Sequence, residues 1–316
     1  LLSVNDTLVS EMPGFISLVR DGSFLAVVSR REDQAIAAVD VLRANCKWTS
    51  GIKLPDSTTL VQSLRQASSD SSVVSTSGSN LREVASHSVE ADYFKPFIAH
   101  ASVGPSCALA HYSSSQMKVW THAQGVFPLR SALSTVLELP EENIRVIHMD
   151  GSGCYGHNGA DDVACDAALI ARALPERAIR VQWMRGDEFA WEPLGSAMSI
   201  HTKGSMDKDG NIVEWHHDLW SFPHSTRPGR RRSTLLAAWH LASSEASPIA
   251  RNIPLSSGGA DRNAVPLYSF PNHVITNENR EHEHRDRNHQ RIGANGMGNI
   301  QRLNKIVGVI TMLKVE

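Results

Sequence analysis

Residues 145–174, RVIHMDGSGCYGHNGADDVACDAALIARAL, decide the fold. The apolar run from Ile144 to His148 has the β-branched character of a short strand. It enters a loop carrying Gly151, Gly153, Gly156 and Gly159, and an apolar helix from Ala160 to Leu174 follows at once. A strand that runs through glycines into a helix aims backbone N–H groups and a helix N-terminus at whatever the loop holds.

Upstream, Met117 to Trp120 reads as a strand and Thr121 to Val126 (THAQGV) as a loop. Pro128 then opens a helix, because a first-turn position needs no N–H. Leu129, Leu133, Val136 and Leu137 line one face of that helix, and Pro140 ends it. Downstream, Ile179 to Met184 is a third strand. The order β-α-β-α-β predicts the α/β class. Residues 197–220 read as a hairpin turning at Asp209-Gly210. Near the N-terminus, Phe24 to Val28 is a strand, and the helix after it offers Ala35, Ala37, Ala38, Val41 and Leu42 as apolar positions.

Four units follow from these elements. Residues 1–65 form the C-terminal part of a small α/β unit, and residues 66–87 a Ser-rich linker. Residues 88–275 form the main domain and residues 276–316 a polar, atypical tail. The tail is expected to stay exposed or disordered, since its composition buries little apolar surface. Its His282, His284 and His289 are read as adventitious metal binders at most.

The 316 residues are 41% hydrophobic and 20% charged with a net charge of −2, a balance that argues against a nucleic-acid or membrane-surface partner. The basic run at Arg227 and Arg230–Arg232 lacks interleaved aromatics and reads as a solvated loop. No apolar run reaches the ~18 residues of a membrane span. The N-terminus has neither an export signal nor an initiator Met, so the chain is expected to start inside a longer protein and its compartment stays unassigned. The four cysteines show neither zinc nor iron–sulfur spacing. Cys46, Cys107 and Cys165 read as structural thiols, with Cys154 held open because it lies inside the glycine loop.

Gly151-Ser152-Gly153-Cys154-Tyr155-Gly156 satisfies G-x-G-x-x-G, so a nicotinamide-dinucleotide site is one reading of the loop. Two features oppose it. The acidic residues that would meet a ribose, Asp187 and Glu188, come late. The loop also continues through His157, Asn158 and Gly159, and Asp161 and Asp162 in the first helical turn would repel a phosphate there. A purely structural turn is the other reading.

The stretch from Gly151 to Pro193, GSGCYGHNGADDVACDAALIARALPERAIRVQWMRGDEFAWEP, resembles the molybdopterin-binding subunit of the xanthine dehydrogenase and aldehyde oxidase family. The branch it is most similar to contains the beta chain of isoquinoline 1-oxidoreductase and the large, molybdopterin-binding chain of nicotinate dehydrogenase. Residues 12–48, 95–110, 117–146 and 262–272 agree with it in the same order.

The resemblance implies a molybdenum hydroxylase fold, with residues 1–65 belonging to a hammerhead-type unit and residues 88–275 to the first molybdopterin-binding domain. It implies molybdopterin with molybdenum, in the cytosine dinucleotide form, and electrons leaving through [2Fe–2S] clusters on a small iron–sulfur partner subunit. The substrate it implies is an N-heterocycle or an aldehyde, hydroxylated with oxygen from water. Gln124 matches a glutamine that hydrogen-bonds an oxygen ligand of molybdenum. Gly153, Cys154, Tyr155 and Gly156 match the loop that passes over the metal and the pterin, with Tyr155 near the substrate pocket. Cys154 is not expected to ligate molybdenum, since the cofactor brings its own sulfur. Arg185, Asp187 and Glu188 match a motif read as structural salt bridges, and His100, His122, His148, His216 and His217 read as structural histidines.

The family's general base, a glutamate in a Gly-Glu motif far downstream, has no counterpart here. The chain is therefore expected to be a fragment, inactive by itself. The alternative from another class is a non-catalytic remnant or interaction protein that kept the fold and lost the cofactor.

Overall fold

The computed structural model describes residues 1–49, 56–66, 70–78, 85–156, 158–222, 224, 235–243, 259–279 and 306–312. His157, the basic run at Arg227 and Arg230–Arg232, and the tail histidines His282, His284 and His289 lie outside the described residues.

The main layer is a seven-stranded mixed sheet. In spatial order its strands are β2 (Phe15–Asp21), β3 (Phe24–Ser29), β14 (Ile306–Met312), β10 (Ala178–Gln182), β7 (Cys107–Ser113), β8 (Gln116–Thr121) and β9 (Ile144–His148). A two-stranded ribbon, β1 (Ser3–Val4) with β4 (Cys46–Lys47), and the short helix α1 (Thr7–Ser10) sit beside it.

Helix α4 (Val126–Leu137) joins β8 to β9, and α5 (Ala160–Ala173) follows β9. Helix α4 begins two residues before Pro128, which lies in its first turn, where no N–H is needed. Leu129, Leu133, Val136 and Leu137 are buried as their spacing predicts. The helix stops at Glu138 in a left-handed conformation (φ 53°), with Pro140 beyond. Helix α5 is buried on nearly every side. Its alanines let the sheet approach from one side and the Leu236–Trp239 segment from another, where Asp162 Oδ1 accepts the Leu236 N–H at 2.8 Å. The strand β3 is also buried on both faces. Ala26 and Val28 join the α4–α5 core, while Leu25 and Val27 pack on α2 (Glu32–Ala44). On α2, Val39 takes the core position expected of Ala37, which is exposed.

The strand order departs from a continuous parallel run. Strands β8 and β9 pair in parallel, but the antiparallel β7 separates β8 from β10. Strand β7 turns tightly into β8 through Ser114 and Ser115, both with positive φ (48° and 63°), as a two-residue hairpin of primed type requires. The third strand also ends earlier than expected, at Gln182. Met184 begins the helix α6 (Arg185–Trp191), because the Asp187 carboxylate caps it by accepting the Met184 N–H at 3.2 Å.

A second, five-stranded sheet runs β5 (Asp70–Ser77), β13 (His273–Asn279), β12 (Ile212–Ser221), β11 (Met198–Met206) and β6 (His87–Lys95), with the helix α3 (Leu60–Gln66) packed on it. The expected hairpin is β11–β12, and the Asp207 carboxylate closes its turn by accepting the N–H groups of Asp209 (2.8 Å) and Asn211 (2.9 Å). The Ser-rich stretch 66–87, read as a linker, contributes β5, which pairs antiparallel with β13. Serine and valine suit an edge strand with one wet face. The tail reading is also modified. Strand β13 continues to Asn279, and β14 lies between β3 and β10, where its β-branched run of Ile306, Val307, Val309, Ile310 and Thr311 supplies the strand preference.

Candidate functional site

Strands β8 and β9 run in parallel, so the loops that leave them, residues 122–125 and 149–159, emerge at one edge of the sheet. The Met149 N–H donates to the Thr121 carbonyl at 2.9 Å, and His148 Nδ1 and the Ala123 carbonyl share a hydrogen bond at 3.2 Å. The Thr121 hydroxyl donates to the Ala160 carbonyl at 3.2 Å. The two loops are thereby tied at their roots. Gln124 stands exposed at the tip of the first, and its amide has no hydrogen-bond partner among the described residues.

The glycine loop is shaped from within. Gly153 (φ 102°) and Gly156 (φ 118°) adopt backbone conformations that side-chain-bearing residues rarely reach. At Gly153 the space a Cβ would take lies 2.6 Å from the Tyr155 ring, which folds back over the backbone there. Tyr155 is itself left-handed (φ 52°) and 65% exposed, so it is no core aromatic. The Cys154 thiol donates to the Gly156 carbonyl at 2.6 Å and closes the turn. Asn158, almost fully buried, ends the loop. Its Oδ1 accepts the Ala160 N–H at 3.1 Å, and its Nδ2 donates to Ser102 Oγ at 3.0 Å and to the Gly153 carbonyl at 3.3 Å. Asp161 and Asp162 are buried in α5, so they do not face a ligand over the loop.

A third segment, residues 98–106, buttresses the loop. The Val103 N–H donates to the Ser152 carbonyl at 3.1 Å, and Ser152 Oγ donates to the Gly104 carbonyl at 3.0 Å. Helix α6 clamps this segment. Arg185 donates to the carbonyls of Ser102 (2.7 Å) and Val103 (2.5 Å), and Glu188, fully buried, accepts the Ser106 N–H (2.7 Å) and hydroxyl (2.9 Å). Of the three residues read as salt-bridging, Asp187 alone forms an ion pair among the described residues, with Arg43 at 2.6 Å. Arg185 and Glu188 hold backbone instead. Burial pushes the Glu188 carboxyl up, and the Glu192 charge adds to this, against the hydrogen bonds from Ser106.

His122 packs beneath Gly151, and its Nε2 accepts the Cys107 N–H at 3.4 Å. Burial holds its pKa below the ordinary 6.5, and His148 adds to this, while Asp161 opposes. A histidine whose folded pKa is depressed contributes stability that is present above 6.5 and lost as pH falls through the folded value. Amide protection factors across residues 149–158, each exchange rate being divided by its intrinsic rate at the same pH, are therefore expected to fall on acidification from about pH 7.5 to pH 5. The fall should be absent in His122→Gln, which keeps an acceptor for Cys107 and does not titrate; an equal fall in both would contradict it.

Sequence reasoning brought Gln124 and residues 153–156 to adjoining loops, gave Glu188 a salt bridge rather than its bonds to Ser106, and assigned no role to Ser102 or Asn158. Ser102 and Ser106 lie about 80 residues from the Arg185 and Glu188 that hold them.

A mixed sheet whose parallel strands deliver a polar loop and a glycine loop to one edge is an arrangement in which α/β proteins hold ligands. Residues 76–222 match the family described as the molybdopterin cofactor-binding domain. The B subunit of nicotinate dehydrogenase from Pseudomonas putida is 34% identical over 278 residues, which cover 87% of this chain and 22% of the relative. The aldehyde oxidoreductase molybdenum-binding subunit of Escherichia coli is 27% identical over 197 residues, 62% of this chain and 26% of that one. The chain thus spans roughly a quarter of the length of these curated relatives. Among solved structures, the aldehyde oxidoreductase from Desulfovibrio desulfuricans superposes with a TM-score of 0.62 at 11% identity, covering 89% of this chain and 34% of that one. Quinoline 2-oxidoreductase from Pseudomonas putida 86 gives 0.58 at 14% identity, with 88% and 38% covered. The resemblance to molybdopterin-binding subunits read from the sequence is borne out, and so is the α/β fold it implied.

Proposed function

We propose that this chain is the part of a molybdenum hydroxylase large subunit that grips molybdopterin between the loop at residues 122–125 and the glycine loop. The observation that carries the reading is the junction of the two loops at the ends of β8 and β9, where the Met149 N–H meets the Thr121 carbonyl. The residues fit such a group. Gly153 and Gly156 carry no side chain at the loop, Asp161 and Asp162 are buried, and the exposed Gln124 amide has no hydrogen-bond partner among the described residues. When bound, the cofactor supplies the two-electron chemistry that turns a carbon–hydrogen bond of an N-heterocycle or aldehyde into a carbon–hydroxyl with oxygen from water. The cytosine dinucleotide form, and electron exit to [2Fe–2S] clusters on a small iron–sulfur partner, are parts of the same proposal.

Within it, Gln124 offers an amide donor to an oxygen of the cofactor. With no side chain at Gly153 and Gly156, the loop's N–H groups can approach a ligand closely once the Tyr155 ring swings off the backbone it covers. Cys154 acts inside the loop, since its thiol is engaged by the Gly156 carbonyl. Tyr155 presents an exposed ring beside the loop and lines the substrate's approach. Neither buried glutamate of this face is placed to take a proton from substrate or water. Both oxygens of Glu188 are bonded to Ser106, and Glu192 meets His100. The chain alone is accordingly expected to bind the cofactor without turning over.

The test is to load the purified chain with molybdopterin cytosine dinucleotide and molybdenum, then assay bound pterin and dye reduction. Close to one pterin per chain with no aldehyde- or heterocycle-dependent reduction is the expected result. Absence of retained pterin would favour a remnant that lost its cofactor, and turnover by the chain alone would show that a base resides within it.

A further inference from the structure

On the flank of the glycine loop, His100 and Glu192 form a pair to which the proposed function gives no task. Glu192 is fully buried, and its Oε1 accepts the His100 backbone N–H at 3.1 Å. Its Oε2 lies 3.4 Å from His100 Nδ1, and both of these atoms are buried without a hydrogen-bond partner. Leaving a buried carboxylate oxygen and a buried ring nitrogen unmatched is costly, so the ring proton belongs on Nδ1, from which a small turn of the ring reaches Oε2. The ring's second nitrogen, Nε2, is then an acceptor. No hydrogen bond engages Nε2 among the described residues, and it lies against the glycine loop, where a Cβ at Gly156 would sit 2.9 Å from it. The segments bearing the pair are locked in register, since the Ile98 N–H donates to the Gly195 carbonyl (3.1 Å) and the Gly195 N–H to the Ile98 carbonyl (2.8 Å).

We propose that His100 is a cofactor-binding residue, its Nε2 accepting an N–H of the pterin held over the loop, and that Glu192 positions it by fixing the ring tautomer. This rests on the molybdopterin reading above. A carboxylate that orients an imidazole through its far nitrogen is a common supporting device. Here it keeps an acceptor, rather than a donor, at the Gly156 corner of the loop.

Glu192→Gln discriminates, because it preserves size while replacing Oε2 with an amide donor. Its NH₂ would donate to Nδ1 and drive the ring proton to Nε2, so that an acceptor facing the pterin becomes a second donor. The readouts are the ¹⁵N shifts of the His100 ring in the full chain without cofactor, and the dissociation constant of metal-free molybdopterin. Expected are an Nδ1–H tautomer in the wild type, an Nε2–H tautomer in Glu192→Gln, and binding about tenfold weaker in the variant. His100→Phe should weaken binding to a similar degree. A wild-type Nε2–H tautomer would overturn the role of Glu192. Equal affinities despite the tautomer change would overturn the inference and leave the molybdopterin reading standing. No binding by the wild type would sink that reading itself, and the inference with it.

Discussion

Gly156→Ala is expected to strip the chain of cofactor while leaving it folded. Gly156 sits at φ 118°, and a methyl group there would come within 2.9 Å of His100 Nε2. Holding alanine in that conformation costs about 1–3 kcal/mol, and the clash adds to it. The loop can escape by turning away from His100, which breaks the Cys154–Gly156 closure and moves the backbone N–H groups that face a ligand. Turning away relieves the strain in the free chain, so the cost falls on the bound state and pterin affinity should drop about 10- to 100-fold. The unfolding midpoint should move little, because the seven-stranded sheet and its core do not depend on the loop. Pterin retention after gel filtration, set beside a thermal melt, reads both quantities. Undiminished retention would remove Gly156 from the site.

Glu188→Ala is expected to do the reverse and weaken the whole domain. Its carboxylate satisfies the Ser106 N–H and hydroxyl in a fully buried position. Removing it strands buried donors and leaves a cavity, a loss of about 3–5 kcal/mol in denaturant unfolding. The pH dependence gives a second test. A carboxyl whose folded pKa is raised contributes stability that is complete below the unfolded value of 4.5 and is lost as pH rises through the folded value. Against Glu188→Gln, which does not titrate, the wild-type advantage should therefore shrink from about pH 4 to neutrality. A widening advantage would mean that the carboxylate is favoured at this position.

Legibility in the sequence followed the range of the interaction. The helices α4 and α5 were readable because local apolar spacing and flanking glycine and proline specify them, and α4 missed by only two residues at its start. The pairing of β8 with β9 was readable too, since a short βαβ crossover permits few other outcomes. What escaped was non-local. Nothing in Ser114-Ser115 announces a primed turn, which glycine or asparagine usually marks, so the insertion of β7 between β8 and β10 was invisible. The serine-rich β5 and the remote β14 gain their places only from partners roughly 130 to 280 residues away. That Gln124 and residues 153–156 lie on loops at one edge of the sheet was legible from the βαβ order. The clamp of Glu188 on Ser106 was not, because a buried carboxylate and a surface ion pair look alike in sequence.

The central claim is that one cofactor lies over the glycine loop and is met by Gln124. Anomalous scattering at the molybdenum edge, from crystals of the chain loaded with molybdenum-bearing molybdopterin, tests it most directly. The account predicts a single peak per chain beside residues 153–156, on the side from which Gln124 projects. A peak elsewhere, or none in crystals whose chains carry stoichiometric pterin, would contradict it.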